Sequence, residues 1–366
     1  MDPVILSEKP ITSLYGTVLA VQANYYHVKL DTNELEDRCL LCTRRTRLKK
    51  IGQKVMVGDR VLVTEPDFQD GRGAISEVLQ RKTELSRPPV ANAEQILLVF
   101  ALEEPSLDPW QLSRFLIKAE STALTLCLCL NKSDLISPQQ QQAWQNRLNG
   151  WGYQSIFLSV TQDLGIEELL SRLQNKISIL AGPSGVGKSS LINRLIPNIE
   201  QRVGSVSGKL LKGRHTTRHV ELFDLPNSGL IADTPGFNQP DVDCTPDQLA
   251  YLFPEARQRL SQGNCQFNDC LHRLEPNCVV RGDWERYEHY LKFLEEAIVL
   301  QSNVSQLPDE ETNLKLKVKS LGQSQYEPKL ESKKYRRPSR KQNNQFLQER
   351  YENQNLRDLA DTDEDW

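Results

Sequence analysis

From residue 14 to 83 apolar and polar positions alternate in short runs. Gly16–Val21 and Tyr25–Leu30 flank a turn at Ala23-Asn24, Val55–Val63 holds a Gly58-Asp59 turn between two apolar runs, and Ala74–Leu79 follows Gly71-Arg72-Gly73. A period of two, broken by turn residues at this spacing, predicts strands of a small closed sheet. A stretch of about 70 residues suits a five-stranded OB-type barrel, an architecture that often binds oligonucleotides. Arg87-Pro88-Pro89 reads as a linker, and after it the pattern changes. Apolar strands at Gln95–Leu102, Ala123–Leu130, Gln154–Ser159 and Lys176–Ala181 alternate with helical stretches at Pro109–Glu120, Pro138–Asn149 and Ile166–Asn175. That alternation predicts a parallel sheet covered by helices. Thr245–Leu260 and Trp284–Leu300 read as later helices around a Cys-containing loop. From about residue 301 the chain is rich in Gln, Asn, Ser, Lys and Glu and ends on acidic Asp361–Trp366, a composition expected to be mostly disordered.

Charge and cysteine content narrow the class. Lys+Arg number 45 and Asp+Glu 48, a net charge of −3, so any nucleic-acid partner must be met by local patches. One such patch is Arg44-Arg45-Thr46-Arg47-Leu48-Lys49-Lys50 in the barrel segment, with candidate contacts Arg44, Arg45, Arg47, Lys49 and Lys50. The same run also reads as a cationic edge strand that resists aggregation. A second basic run, Lys333–Lys341, lies in the tail. Eight Cys in 366 residues is no disulfide scaffold. The longest apolar runs, Ile96–Leu102 and Ala123–Leu130, fall short of the ~20 residues of a membrane span. Met1–Leu6 has neither the basic start nor the apolar core of a secretory signal. The expectation is a cytoplasmic multidomain protein with reduced thiols and no membrane contact.

The strand at Ile177–Ala181 runs into Gly182-Pro183-Ser184-Gly185-Val186-Gly187-Lys188-Ser189-Ser190 and then a helical stretch. This is G-x-x-x-x-G-K-S in its structural setting. Glycines let successive N–H groups surround an anion, the helix N-terminus adds its dipole, Lys188 reaches the β/γ-phosphates and Ser189 can ligate Mg²⁺. Asn131-Lys132-Ser133-Asp134 follows the strand at 123–130 and matches N-K-x-D. The Asp134 carboxylate can accept from guanine N1–H and N2–H together, a donor pair adenine lacks, so it selects GTP over ATP. Lys132 can lie along the base, and Asn131 can tie this loop to the phosphate loop. Asp233-Thr234-Pro235-Gly236 matches D-x-x-G, in which the Asp orders the Mg²⁺ shell and the Gly N–H faces the γ-phosphate. In the intervening Gly213–Arg218, Thr217 is favoured over Thr216 as the switch hydroxyl on Mg²⁺. Ser159 is a candidate for the remaining base-contact loop.

Ordinary GTPases place the phosphate loop first and N-K-x-D fourth. Here N-K-x-D at 131 and Ser159 precede the phosphate loop at 182 and D-x-x-G at 233, which is a circular permutation. The residues after D-x-x-G therefore lead into the C-terminal module, and loss of the γ-phosphate is expected to move it. Within that module Cys265, Cys270, His272 and Cys278 supply a full tetrahedral Cys3His shell for one structural zinc. Cys127 and Cys129 read as core, Cys39 and Cys42 as opposite faces of a strand, and His27, His219 and His289 as surface or packing residues without partners.

The basic barrel, the permuted GTPase motifs and the Cys3His spacing together resemble the small-ribosomal-subunit biogenesis GTPase A (RsgA) family, over roughly residues 12 to 300. The resemblance implies a GTP hydrolase that acts late in small-subunit assembly, is stimulated by that subunit and contacts ribosomal RNA through barrel and zinc module. It implies an OB barrel at 12–83, a permuted GTPase domain at 90–242, a zinc module at 243–300 and a charged tail at 301–366, in a chain expected to be monomeric. Phe237 follows Gly236 where many GTPases carry a water-orienting Gln, so unaided turnover should be slow. His215 is a candidate for the missing group, and RNA contact or packing is an equal reading of it. The alternatives are a GTPase of the same core serving another ribonucleoprotein, and a nucleic-acid-binding protein with a vestigial nucleotide site. The strand ending Ala101-Leu102-Glu103-Glu104-Pro105 is more acidic than the family leads one to expect.

Overall fold

The computed structural model describes residues 13–31, 39–86, 88–196, 220–233, 244–306, 314–318 and 324–328. The alternating segment forms β1 (Leu14–Gln22), β2 (Tyr25–Leu30), β3 (Cys39–Arg44), β4 (Arg60–Asp67) and β5 (Arg72–Val78). They pair in the order β1-β2-β3-β5-β4, and β4 pairs back onto β1, so the sheet closes into the expected barrel. Val18, Val28, Leu40, Cys42, Val61, Val63 and Ile75 point inward and fill it. Val55–Val57, expected as part of a strand, contributes only one bridge, between Val57 and Val90. The basic run is not an edge strand: Thr46–Lys50 is a short helix, α1, anchored by buried Leu48. Nor is the Pro-rich segment a bare linker, since β6 (Glu84–Ser86) and β7 (Pro89–Ala91) pair across it.

The second domain is built on β8 (Gln95–Ala101), α2 (Pro109–Glu120), β9 (Thr125–Asn131), α3 (Pro138–Gly150), β10 (Ser155–Phe157), α4 (Ile166–Leu173), β11 (Ile177–Ala181), α5 (Lys188–Leu195), β12 (Glu221–Asp224) and β13 (Leu230–Asp233). Asp108 starts α2 by accepting from the Trp110 and Gln111 amides, and a Ser137–Gln140 capping box starts α3. Strand order is β10-β9-β8-β11-β13-β12, parallel except for β12. β8 is buried at every residue, as a central parallel strand must be. Side chains of Leu98 and Phe100 pack toward α2 and α3, those of Leu97 and Val99 toward α4 and α5. The chain reverses its direction of travel across the sheet between β8 and β11, so the crevice beyond their carboxyl ends is where a ligand binds in such a fold.

The C-terminal module holds a 3-10 turn (Leu249–Leu252), α6 (Pro254–Gln262) and α7 (Tyr287–Gln306), shorter at its start than the expected helix from 245. Its core of Leu249, Phe253, Ala256, Trp284, Tyr290, Phe293 and Leu294 also takes in Ile117 of α2. A second unit, from Ser302 onward, contains an antiparallel ladder of β14 (Leu314–Val318) and β15 (Ser324–Pro328) that its composition did not announce. The remainder of the tail, including Lys333–Lys341, lies outside the described residues.

Candidate functional site

The phosphate loop leaves β11 and enters α5 through three glycines with positive φ: Gly182 (139°), Gly185 (82°) and Gly187 (95°). Two of them also have no room for a side chain. A Cβ on Gly182 would stand 2.1 Å from the Val99 carbonyl oxygen, and one on Gly187 2.4 Å from Asn131 Nδ2. Lys188 Nζ donates to the carbonyls of Gly182 and Pro183, at 2.7 and 2.6 Å, which holds the ammonium folded over the loop. Ser184, Ser189 and Ser190 are exposed at the loop and the first turn of α5.

Asn131 ends β9 beside this loop, and its Nδ2 donates to the Val186 carbonyl at 2.8 Å. This is the tie that the spacing led one to expect. Its Oδ1 is buried and has no partner among the described residues. Lys132 Nζ donates to the Glu104 carbonyl, in the loop after β8. Ser133 is buried, and its amide donates to the Leu158 carbonyl at 3.1 Å, so the selectivity loop is fastened to the end of β10. Asp134 receives Thr161 Oγ1 at 3.5 Å. Asp233 ends β13 and aligns with Leu180 of β11, two residues ahead of Gly182, so the backbone of the first residue of D-x-x-G lies at the same end of the sheet as the phosphate loop. Thr216, Thr217, His215, His219 and Gly236 lie outside the described residues.

Ser159 lies in the turn beside the selectivity loop. It is fully buried, accepts from the Gln162 amide at 3.2 Å and shares a hydrogen bond of 3.0 Å with Thr161 Oγ1. It shapes the turn, and Thr161 is the hydroxyl that reaches Asp134. Sequence reasoning also missed the loop after β8. The oddly acidic Glu103-Glu104-Pro105 stretch is placed there by topology, with Pro105 Cδ 3.6 Å from where a Cβ of Gly185 would be.

In the C-terminal module Cys265, Cys270, His272 and Cys278 bring one ligand atom each to within 4.8 Å of one another. His272 Nδ1 lies 3.5, 3.4 and 3.3 Å from the sulfurs of Cys265, Cys270 and Cys278, and Cys265 Sγ lies 3.8 Å from Cys278 Sγ. A tetrahedron with metal–sulfur bonds of about 2.3 Å and metal–nitrogen bonds of about 2.0 Å has edges of roughly 3.5–3.8 Å, so the donor set fits a four-coordinate metal. Burial holds the His272 imidazole below its ordinary pKa, leaving a neutral ring able to ligate. Tyr287 and Tyr290 of α7 hold this knuckle by donating to the carbonyls of His272 and Leu271, each at 2.8 Å. His289 is not partnerless: its Nδ1 shares a 2.7 Å hydrogen bond with Ser113 Oγ, and its ring lies on Trp110.

Of the five barrel cations, Arg44 donates to the Gln53 carbonyl at 2.9 Å and lies over Tyr26, and Arg45 pairs with Glu65 at 2.9 Å. Arg47, Lys49 and Lys50 are exposed along α1.

A phosphate loop at the switch point of this sheet, fastened to N-K-x-D and preceded by it in the chain, defines a circularly permuted GTPase. The RsgA GTPase family profile matches residues 78–243. The small ribosomal subunit biogenesis GTPase RsgA of Microcystis aeruginosa is 64% identical over 96% of this chain and 98% of its own length. Among solved structures, YjeQ from Thermotoga maritima superposes with a TM-score of 0.64 at 32% identity, covering 78% of this chain and 99% of that one. YloQ, a circularly permuted GTPase, gives 0.65 at 31% identity, covering 79% and 96%. The chain belongs to the RsgA family of GTPases.

Proposed function

We propose that this chain hydrolyses GTP in the biogenesis of the small ribosomal subunit, docks on that subunit through ribosomal RNA, and hydrolyses faster when docked. The observation that carries this reading is the Asn131–Val186 bond, which joins the guanine-selecting loop to the phosphate loop in one crevice. Asp134, steadied by Thr161, accepts from the base, while Asn131, Lys132 and Ser133 hold the loop. The amides of Gly182–Ser190 wrap the phosphates, and Lys188 leaves its loop carbonyls to meet the β/γ oxygens. Ser189 and Thr217 are the residues that would hold Mg²⁺, with Asp233 ordering its shell and Gly236 facing the γ-phosphate; the ion supplies charge neutralisation when bound. His215 is the proposed water-orienting group in place of the absent Gln.

One zinc ion per chain is the metal proposed for Cys265, Cys270, His272 and Cys278, with a structural role because all four positions are filled by protein. The domains are taken as 12–83, 90–242, 243–300 and a tail at 301–366, in a cytoplasmic monomer. RNA contact is assigned first to Arg47, Lys49 and Lys50, with Arg44 and Arg45 shaping that surface. GTP hydrolysis measured with and without purified small subunits tests the reading. Acceleration by small and not large subunits supports it, and equal rates in all three conditions overturn it.

A further inference from the structure

The barrel meets the GTPase domain at two places: where Ala91 N and Asn92 Nδ2 donate to the carbonyls of Val57 and Gly58, at 2.8 and 2.9 Å, and along the strand β12. Ala20 of β1 pairs with Glu221, and Leu19 packs in one cluster with Val220 and Leu222. Beside this seam Lys29 Nζ of β2 lies 2.5 Å from Asp224 Oδ1, with the side chains 35% and 19% exposed. In turn β12 is laddered onto β13, with Glu221 opposite Asp233 and Asp224 opposite Leu230. One short strand thus touches the barrel on one edge and the strand carrying Asp233 on the other. The metal module's bonds to this domain land elsewhere: His289 and Glu296 on Ser113 and Arg114 of α2, and Glu285 on Arg147 of α3 and Trp151 just beyond it.

Lys29 also closes one end of a continuous outer barrel face. Register places Tyr25, Thr43 and Ala74 in one row across β2, β3 and β5, and His27, Leu41 and Arg72 in the next, with Lys29 and Cys39 following on β2 and β3. RNA on this face or on α1 pushes on a body that reaches the strand beside Asp233 through that seam. We propose that the Lys29–Asp224 ion pair is the strut through which RNA docking on the barrel sets the hydrolysis rate, with both residues acting as positioning residues for β12 and β13. This rests on the subunit-stimulated reading above.

A partly shielded pair is suited to the task, because it adds a side-chain tie between the barrel and β12 beside the Ala20–Glu221 pairing. The strut is needed only to transmit docking. Asp224→Asn should therefore leave unstimulated kcat and the KM for GTP unchanged and leave subunit affinity within about twofold. The stimulated kcat at saturating subunit should fall roughly 3- to 30-fold, the range that coupling energies between sites span. Lys29→Met should do the same to kcat. The exchange Lys29→Asp with Asp224→Lys should restore stimulation, which a merely destabilised seam would not. Wild-type stimulation with an unaltered Asp224→Asn overturns the strut alone, as does an exchange variant that folds and is not rescued. A wild-type chain that subunits do not accelerate overturns the proposed function, and the strut with it.

Discussion

Two bodies are attached to the same GTPase sheet by different physics. The metal module is fixed in depth. Arg286 is fully buried, donates from Nε to Glu255 at 2.7 Å, and lies over Trp151, Tyr153 and Phe253 at 4.9, 5.3 and 4.9 Å. Around it Arg114 grips Glu296 with two bonds of 2.8 and 2.7 Å, Glu285 accepts from Arg147 and Trp151, and Arg257 reaches Glu120. The barrel is attached by the Ala20–Glu221 pairing, the apolar seam around Leu19, the partly exposed Lys29–Asp224 pair, and bonds from Ala91 and Asn92 to the carbonyls of Val57 and Gly58. Buried Arg286 against Trp151 and Tyr153 is costly to disturb and holds one geometry, whereas the ion pairs that cross either junction, Arg114–Glu296 and Arg147–Glu285 as well as Lys29–Asp224, are partly solvated and exchange cheaply. The permutation sends the chain from Asp233 into the metal module, yet the module is bolted to α2 and α3. The barrel is the body with freedom to respond.

Breaking the metal module should have the largest effect. Structural zinc sites supply about 10–16 kcal/mol in isolated zinc-finger peptides, so Cys270→Ser should lose the metal and loosen the knuckle. Metal analysis should find about one zinc in the wild type and none in the variant, with GTP binding retained. A metal-free wild type with an intact knuckle would contradict the assignment.

Next comes the buried pair. Arg286→Met leaves the Glu255 carboxylate buried and uncompensated, which should cost about 3–5 kcal/mol in denaturant unfolding. Adding Glu255→Leu should recover much of that loss. On the barrel side, Leu19→Ala should cost about 2 kcal/mol and leave the GTPase transition in place. A cost for Leu19→Ala that equals that of Arg286→Met would remove the contrast between the junctions.

The smallest expected effect depends on pH. Burial, joined by the charge of nearby Arg286, lowers the His289 pKa from 6.5 to about 4. The folded state therefore favours the neutral ring. Its stabilisation is complete above pH 6.5 and is lost as the pH falls from there toward 4, because the unfolded chain takes up the proton first. His289→Gln should flatten the stability profile across that window by about 1–2 kcal/mol relative to wild type. Identical profiles would show that the ring does not report on this junction.

The nucleotide site was legible because its chemistry is local. Gly182–Ser190 and Asn131–Asp134 are contiguous, and their backbone geometry needs those residue types at those spacings. The Cys3His cluster was legible for the same reason. The docking of the modules was not, because it rests on pairs such as Arg114–Glu296, 182 residues apart, Lys29–Asp224, 195 apart, and Ser113–His289, 176 apart. Nothing in the pattern around His289 announces a partner on α2. The basic run, which read equally as an RNA-contacting patch or an edge strand, shows a different limit. Its five cations suit either surface, and the structure puts three of them, Arg47, Lys49 and Lys50, on a helix anchored by buried Leu48.

The contrast between the two junctions is tested most directly by distances from the GTPase core to each body in two nucleotide states. Spin labels on unnatural side chains would be placed at Ser171 in α4, at Thr43 in the barrel and at Leu274 in the metal knuckle, all three exposed. Pulsed electron resonance would then compare GDP with a non-hydrolysable GTP analogue. The 171–43 distance should shift or change width between the states, and the 171–274 distance should stay the same. A moving 274 with a stationary 43 would contradict the account and return the metal module to the role of the responding body.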